Sequence, residues 1–361
     1  IGSRICNCNL WFLPKIFWVT TAHPSSMDIT ISIFARVPIS ATKPFRHRFD
    51  TIGMHSDKKG TFNKLIKDDL VPRVANSEIH ILGEGPIWDA NSNELHWVDI
   101  KRALVFTGQL STDQKITITN LQRFEETVGA VATSSNHLKI VANGEVLRIF
   151  KDDIEIDSIQ LFESNGTRRL NDGKPDPRGR YLVGSLAFDG KSKSEQLFLI
   201  DNDRKIKVID SDLTLSNGLA WNSAGNKFYS IDTFSKKIFV RDYDLDTGNC
   251  GPRSTFAVIK EGYPDGMCMD SENCLWVAIW GNGEVLRFNE AGEISNRIKV
   301  PAPNTTSVCF AGKNLDVMVI TTASDELSPE QIAQYPNSGS IFTLVPGVTG
   351  LPQSLWGGFT K

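Results

Sequence analysis

Short runs in which apolar and polar residues alternate fill most of the chain from about residue 73 onward. Examples are residues 95–99, 228–232 and 284–288, each bounded by Gly, Asn or Asp. A period of two is typical of β-strands, and hardly any stretch shows the 3.6-residue period of an amphipathic helix. The pattern therefore predicts an all-β protein.

The strand pattern recurs about every 45 residues. Glycines at the same phase of the pattern follow one another at intervals of 44 to 48 residues: Gly85, Gly129, Gly173, Gly218 and Gly266. A sixth, degenerate copy is centred on Ser307. About four short strands per copy at this period are typical of a β-propeller blade. Because a lone sheet leaves both faces exposed, six copies predict a six-bladed β-propeller over residues 71–361, closed by pairing of segment 73–82 with the blade that contains residues 339–345.

Residues 1–70 differ in composition from the rest of the chain. Between residues 4 and 48 there are six basic residues and a single acid, Asp28, together with many Ser and Thr. This bias resembles a transit peptide, whereas the apolar run 10–19 is interrupted by Pro14 and Lys15 and makes a poor signal-peptide core. We therefore expect an N-terminal extension over 1–70 that is disordered, transit-like or not part of the mature protein.

Composition and charge narrow the classes of function. The chain has 39 basic and 42 acidic residues and a net charge of −3, which offers no basic surface for nucleic acid. No apolar run of membrane-spanning length occurs, and six scattered cysteines make no disulfide framework. We expect a cytoplasmic monomer that binds neither nucleic acid nor a membrane, with targeting by residues 1–50 left open.

The residue before each repeat glycine occupies an equivalent position in every blade. If that position is the end of the innermost strand at the opening of the axial channel, six side chains surround the axis: Glu84, Val128, Asp172, Asn217, Asp265 and Thr306. The oxygens of Glu84, Asn217 and Asp265 are ligands that suit Ca²⁺, Mg²⁺ or Mn²⁺. The tripeptides NDG, SNG and PDG are also ordinary turn sequences that tolerate a left-handed backbone. Their common phase, and a Glu where Glu is a poor turn residue, favour a metal site at the centre of the propeller.

Other catalytic motifs receive little support. All six histidines precede residue 138, and neither an HExxH pair nor a GxSxG elbow occurs. No glycine-rich phosphate loop precedes a predicted helix. Zinc proteases, α/β-hydrolases and nucleotide-binding enzymes are therefore disfavoured.

Five segments together resemble a known family: 82–88 (LGEGPIW), 169–174 (RLNDGK), 216–221 (SNGLAW), 243–248 (YDLDTG) and 262–267 (GYPDGM). They look like the senescence marker protein/regucalcin/gluconolactonase family, which includes insect luciferin-regenerating enzymes and anterior fat body proteins. The resemblance covers residues 78 to 345, with the motifs in the family's order. It implies a six-bladed propeller with one divalent metal in the axial channel, the fold that the repeat predicts independently.

The resemblance also implies roles for individual residues. Matching the motifs places the metal ligands at Glu84, Asn217 and Asp265, and the metal is Ca²⁺, Zn²⁺, Mn²⁺ or Mg²⁺. Substrate contacts are implied for Arg169 and Asn171. A further substrate contact is implied at Asp189, where relatives often have Glu and where the following loop, 190–194, is shortened.

The activity implied by the resemblance is hydrolysis of a sugar lactone such as gluconolactone. The metal would polarise the carbonyl and activate water, with Asp265 as general acid and base. One alternative is a non-catalytic, calcium-binding regulatory propeller, which would keep the metal ligands without needing Arg169 and Asn171. Another is an enzyme of the luciferin-regenerating type that acts on a different small substrate. A protein-binding scaffold would not need the axial oxygen ligands.

Overall fold

The computed structural model describes residues 17–22, 29–34, 71–163 and 166–360. The described strands fall into two units, one up to residue 64 and the other from residue 65. In the first unit, β1 (Phe17–Ala22) pairs antiparallel with β2 (Ile29–Phe34). The basic residues of the transit-like segment lie outside the described residues, so the nature of the extension and its boundary stay predictions.

The second unit consists of four-stranded antiparallel sheets, which we number as blades. It opens with the short strand β3 (Arg73–Val74), followed by five blades of four consecutive strands each. Blade 1 contains β4 (Gly83–Asp89), β5 (Glu94–Asp99), β6 (Leu104–Leu110) and β7 (Ile116–Arg123). Blade 2 contains β8 (Val128–Thr133), β9 (Leu138–Asn143), β10 (Val146–Lys151) and β11 (Ile154–Gln160). Blade 3 contains β12 (Arg168–Pro175), β13 (Tyr181–Ala187), β14 (Glu195–Ile200) and β15 (Ile206–Leu213).

The last three blades follow the same plan, and the final one closes the ring. Blade 4 contains β16 (Ser216–Trp221), β17 (Lys227–Asp232), β18 (Lys237–Asp242) and β19 (Ser254–Val258). Blade 5 contains β20 (Tyr263–Met269), β21 (Leu275–Trp280), β22 (Glu284–Phe288) and β23 (Ile294–Lys299). Blade 6 contains β24 (Asn304–Ala311), β25 (Val317–Ala323), β26 (Phe342–Leu344) and, as its outermost strand, β3.

Ring closure follows the sequence-based prediction. Phe342 pairs with Val74 and Thr343 with Arg73, so the start of the domain completes the blade formed near its end. A short helix, α1 (Pro329–Gln334), lies between β25 and β26. Its N-cap Ser328 accepts a hydrogen bond from the Gln331 amide and donates its own amide to the Gln331 side chain, a capping box. Within residues 71–163 and 166–360, no helix is long and apolar enough to cross a membrane.

The innermost strand of every blade carries an irregularity of register at the same phase. The shifts follow Glu84, Val128, Leu170, Asn217, Pro264 and Thr305. A β-bulge leaves an extra residue unpaired and re-aims its side chain. The six bulges therefore lie at or beside the repeat position that the sequence analysis identified, the residue before each repeat glycine.

The glycines at these positions are needed mainly because neighbouring inner strands come very close. A Cβ on Gly218 would lie 2.6 Å from the carbonyl oxygen of Asp265, and one on Gly129 would lie 2.6 Å from that of Leu170. Turn chemistry explains only Gly85, whose φ of 53° lies in the left-handed region, whereas the other four repeat glycines do not have a positive φ. Close approach, rather than a left-handed turn, accounts for the SNG motif.

Large side chains fill the space between the blades. The Trp97 and Phe106 rings stack at 5.1 Å between centroids, and Trp221 stacks on Phe228 at 4.8 Å. Trp276 is fully buried. Burial of the sheet faces by such residues stabilises the ring through the hydrophobic effect.

An irregular segment after β26, residues 346–360, crosses one end of the propeller axis, and we call it the C-terminal strap. Its amides donate to carbonyl oxygens of four blades: Gly350 to Leu315 (2.8 Å), Leu351 to Met269 (3.2 Å), Trp356 to Thr133 (2.8 Å) and Gly357 to Gly179 (2.9 Å). Trp356 is 1% exposed and packs into the core between blades 2 and 3. The strap therefore ties together blades that are far apart in the ring.

Replacing Gly218 with Ala tests the close approach of the inner strands. Because the new Cβ must push the Asp265 backbone away, we expect the free energy of unfolding to fall by about 1–3 kcal/mol in urea titrations. Gly251→Ala is the matched control, since a Cβ there would meet its nearest neighbour at 3.4 Å, an ordinary contact. Equal unfolding midpoints for the two variants would contradict this account.

Candidate functional site

Five of the six predicted site residues lie at the beginnings of innermost strands, around one end of the propeller axis. Glu84 is on β4, Asn217 on β16 and Asp265 on β20, while Arg169 and Asn171 are on β12. Each of these side chains is less than a tenth exposed. Residues from blades 1, 3, 4 and 5 thus form a single buried polar cluster.

The three predicted metal ligands come into direct contact. The Asn217 side-chain amide donates to Oδ1 of Asp265. The buried carboxyl groups of Glu84 and Asp265 lie close enough together for each to act on the pKa of the other. Residues separated by more than 180 positions in the chain therefore meet at one point, as the repeat predicted.

Burial and mutual repulsion dominate the electrostatics of this cluster. Burial raises the pKa of Glu84 well above its usual range, and the nearby charges of Asp265 and Asp172 raise it further. The pKa of Asp265 is raised by burial and then by Asp172. Burial lowers the pKa of Arg169 to about 10, while Glu84 and Asp265 act in the opposite direction, so the guanidinium stays charged at neutral pH. The cluster holds more acidic groups than Arg169 alone can balance.

This donor set fits a divalent cation. Carboxylate and amide oxygens are the ligands that hard cations prefer, and a cation would remove the repulsion between the buried carboxylates. In the part of the chain that the structure describes, no three or more His, Cys, Asp or Glu side chains are arranged to hold a metal ion. The set that fits a cation is therefore the mixed one, with two carboxylates and the amide oxygen of Asn217.

Arg169 is held in place by its neighbours on β12. Its Nη1 donates to Oδ1 of Asn171 at 2.7 Å and to the carbonyl oxygen of Leu170 at 3.0 Å. The Asn171 amide in turn donates to the carbonyl oxygen of Ser216 at 2.9 Å. Asn171 thus fixes the plane of the guanidinium and links it to the strand that carries Asn217.

Asp189 occupies a different setting from the other predicted residues. It follows β13 on an exposed loop, and its Oδ1 accepts a hydrogen bond from the Lys191 amide at 2.9 Å. The structure does not bring its side chain into the buried cluster. A contact between Asp189 and a substrate stays a prediction.

Two members of the cluster were not among the site residues selected from the sequence. Asp172 is buried, and its charge acts on both Glu84 and Asp265. Its phase in the repeat was the signal that pointed to it. Thr233 accepts from the Asn217 amide at 3.2 Å and donates to the carbonyl oxygen of Pro264 at 2.9 Å. Thr233 follows β17, and no sequence motif marks it.

Comparison with known proteins places this site in a family context. The chain matches the SMP-30/Gluconolactonase/LRE-like region over residues 82–324. Regucalcin of Gallus gallus is 33% identical over 293 residues, which cover 76% of this chain and 95% of that protein. The structure of a calcium-binding protein, regucalcin, from Agrobacterium tumefaciens has a TM-score of 0.74 at 24% identity, covering 79% of this chain and 97% of that one. A luciferin-regenerating enzyme has a TM-score of 0.72 at 25% identity, covering 80% of this chain and all of the other. The resemblance read from the sequence is confirmed.

The repulsion in the cluster predicts that Glu84→Gln stabilises the protein in the presence of a chelator. A Gln side chain can donate to Asp265 without a titratable proton. It therefore avoids the free energy of keeping a buried carboxyl protonated at neutral pH, which amounts to at most about 3 kcal/mol. Urea titrations at pH 7 in EDTA measure the difference. Glu125→Gln, at an exposed position, should leave stability unchanged. A Glu84→Gln variant less stable than the unsubstituted protein would show that the carboxyl pair is not repulsive.

Proposed function

The chain belongs to the SMP-30/gluconolactonase/LRE-like family, and on this premise we propose that it is a divalent-metal-dependent lactonase whose substrate is a sugar lactone such as gluconolactone. The observation that carries the proposal is the convergence of Glu84, Asn217 and Asp265 next to a buried, fixed arginine. Such a site combines cation ligands with a charged donor for substrate oxygens.

In this proposal Glu84, Asn217 and Asp265 hold one divalent cation: Ca²⁺, Zn²⁺, Mn²⁺ or Mg²⁺. When bound, the cation supplies Lewis acidity toward the lactone carbonyl and the attacking water. Thr233 orients the Asn217 amide, so that the amide oxygen is the atom available to a cation. The proximity of Asp172 adds negative charge that favours a cation over a neutral occupant.

Asp265 moves the proton of the reaction. Its carboxylate accepts a proton from the attacking water as the water oxygen bonds to the acyl carbon. The proton is then delivered to the ring oxygen as the ester C–O bond breaks, and the product is an open-chain hydroxy acid. A carboxylate beside the attacking water is placed to accept its proton and to pass it on.

Arg169 binds and orients the substrate. Its Nη1 is committed to Asn171 and Leu170, whereas the described residues offer Nε and Nη2 no acceptor. These remaining N–H groups are available for lactone or hydroxyl oxygens, and the planar fork fixes their direction. A propeller that only bound a cation would not need a buried arginine beside the cation ligands. The presence of Arg169 therefore favours catalysis over cation binding alone.

Replacing Asp265 with Ala should abolish metal-dependent lactonase activity and leave the β fold intact. Loss of a cation ligand and of the proton-transfer group predicts a fall in turnover of at least about 1,000-fold. The assay is a panel of lactones against Ca²⁺, Mn²⁺, Zn²⁺ and Mg²⁺, with circular dichroism as the check on folding. Asp113→Ala, on an exposed turn, should retain full activity. Full activity of Asp265→Ala with any of these metals would overturn the assignment.

Replacing Arg169 with Lys should separate catalysis from cation binding. A lysine keeps the charge but loses the fork held by Asn171, so kcat/KM should fall by about 10- to 100-fold. Cation affinity, measured by calorimetry, should stay close to that of the unsubstituted protein. If activity is unchanged, or if cation binding is lost in step with activity, Arg169 does not have the proposed role.

A further inference from the structure

A cavity lies at the other end of the propeller axis from the candidate metal site. Its walls come from the last residues of innermost strands, including Lys174 on β12, Trp221 on β16, Met269 on β20 and Phe310 on β24. Three of these strands carry the site residues at their beginnings. The strap residues 351–354 form the remaining wall, and the cavity volume is about 310 Å³. This volume is at the lower end of the range for small-molecule sites.

Lys174 brings a positive charge to this cavity. Its Nζ donates to the carbonyl oxygen of Met267 at 2.9 Å, so the side chain reaches across the axis from blade 3 to blade 5. Among residues 71–163 and 166–360, no carboxylate forms a salt bridge with it. An ammonium carries three N–H donors, and only one of them is committed here. Its charge acts on the buried Asp172 carboxyl, whose pKa it lowers, and the two remaining N–H donors are available to an anionic ligand.

Trp221 adds a second donor without a partner. Its side chain lines the cavity and is 7% exposed, and its indole Nε1 has no hydrogen-bond acceptor within the described protein. The ring cannot readily turn to find one, because it stacks on Phe228 and meets Tyr243 edge-on at 5.9 Å. A buried N–H group left unpaired is unfavourable, so an acceptor that reached it from the cavity would be bound favourably.

The rest of the lining is mostly apolar. Met269, Phe310 and Leu351 form much of the wall, with Pro175 beside them. Pro177, Ser223 and Pro352 are exposed and mark the side from which a ligand can enter. A ligand for this cavity therefore combines an anionic acceptor group with a compact apolar body.

We propose that this cavity, which we name the strap cavity, binds a small organic monocarboxylate whose carboxylate accepts hydrogen bonds from Lys174 and Trp221. The apolar part of the ligand lies against Met269 and Phe310 and under the C-terminal strap. An inorganic phosphate would satisfy the two donors but not the apolar walls. The proposal does not depend on the activity proposed for the metal site.

Calorimetric titration of the full chain with sodium benzoate in EDTA tests the proposal. We expect saturable binding of benzoate, and at least tenfold weaker binding of benzamide, which keeps the ring and lacks the charge. Lys174→Met should weaken benzoate binding at least tenfold. The matched control Lys151→Met removes an exposed positive charge on blade 2 and should bind benzoate normally. No binding of benzoate up to about 10 mM, or equal binding of benzamide, would overturn the proposal.

Two further variants locate the ligand and remain informative if Lys174→Met does not fold. Ser354→Trp fills the cavity from the strap and should abolish benzoate binding without touching the metal site. Arg169→Lys alters the other buried cation on the axis and should leave benzoate binding intact. Loss of binding in Arg169→Lys with retention in Ser354→Trp would place the ligand at the metal-site end and refute the strap cavity. Failure of the lactonase assays would leave these results unaffected.

Discussion

The close approach of innermost strands around the axis is the constraint on which the rest of this structure depends. Neighbouring inner strands come so near that a single Cβ at Gly218 or Gly129 would collide with a carbonyl oxygen of the next blade. At the same level each of these strands carries a bulge, and the bulge turns the side chain next to it toward the axis. Blade packing and the location of polar side chains are therefore two results of one geometry.

That geometry concentrates acidic groups where water is excluded. Glu84, Asp172 and Asp265 are buried within range of one another's charge, and Arg169 is the cation that acts on this group from within the cluster. Such an arrangement is unfavourable for an isolated fold, because burial of like charges raises their pKa values and opposes folding. The large apolar interfaces between blades offset this penalty. The proposed cation would relieve the same repulsion.

The two ends of the axis have opposite character. On β12, Asp172 lies among the acids of the metal-site end, and Lys174, two residues later, lines the strap cavity. The charge of Lys174 lowers the pKa of Asp172, which is otherwise raised by burial. A channel with an acidic end and a basic end has two chemically distinct places for ligands.

The period and phase of the strand repeat in the sequence were sufficient to predict the propeller and its ring closure. They also predicted that Glu84, Asn217 and Asp265 meet, because equivalent positions in a closed ring converge on its axis. The same reasoning pointed to Asp172 without revealing that its charge acts on both neighbouring acids. Thr233, the strap and its cavity were decided only by the tertiary structure. Their contacts join segments that share no repeat phase, such as Trp356 with Thr133, and depend on how the blades pack. The sequence of a single strand likewise could not show why position 218 must be glycine. The carbonyl oxygen that a Cβ there would contact belongs to Asp265, in the next blade.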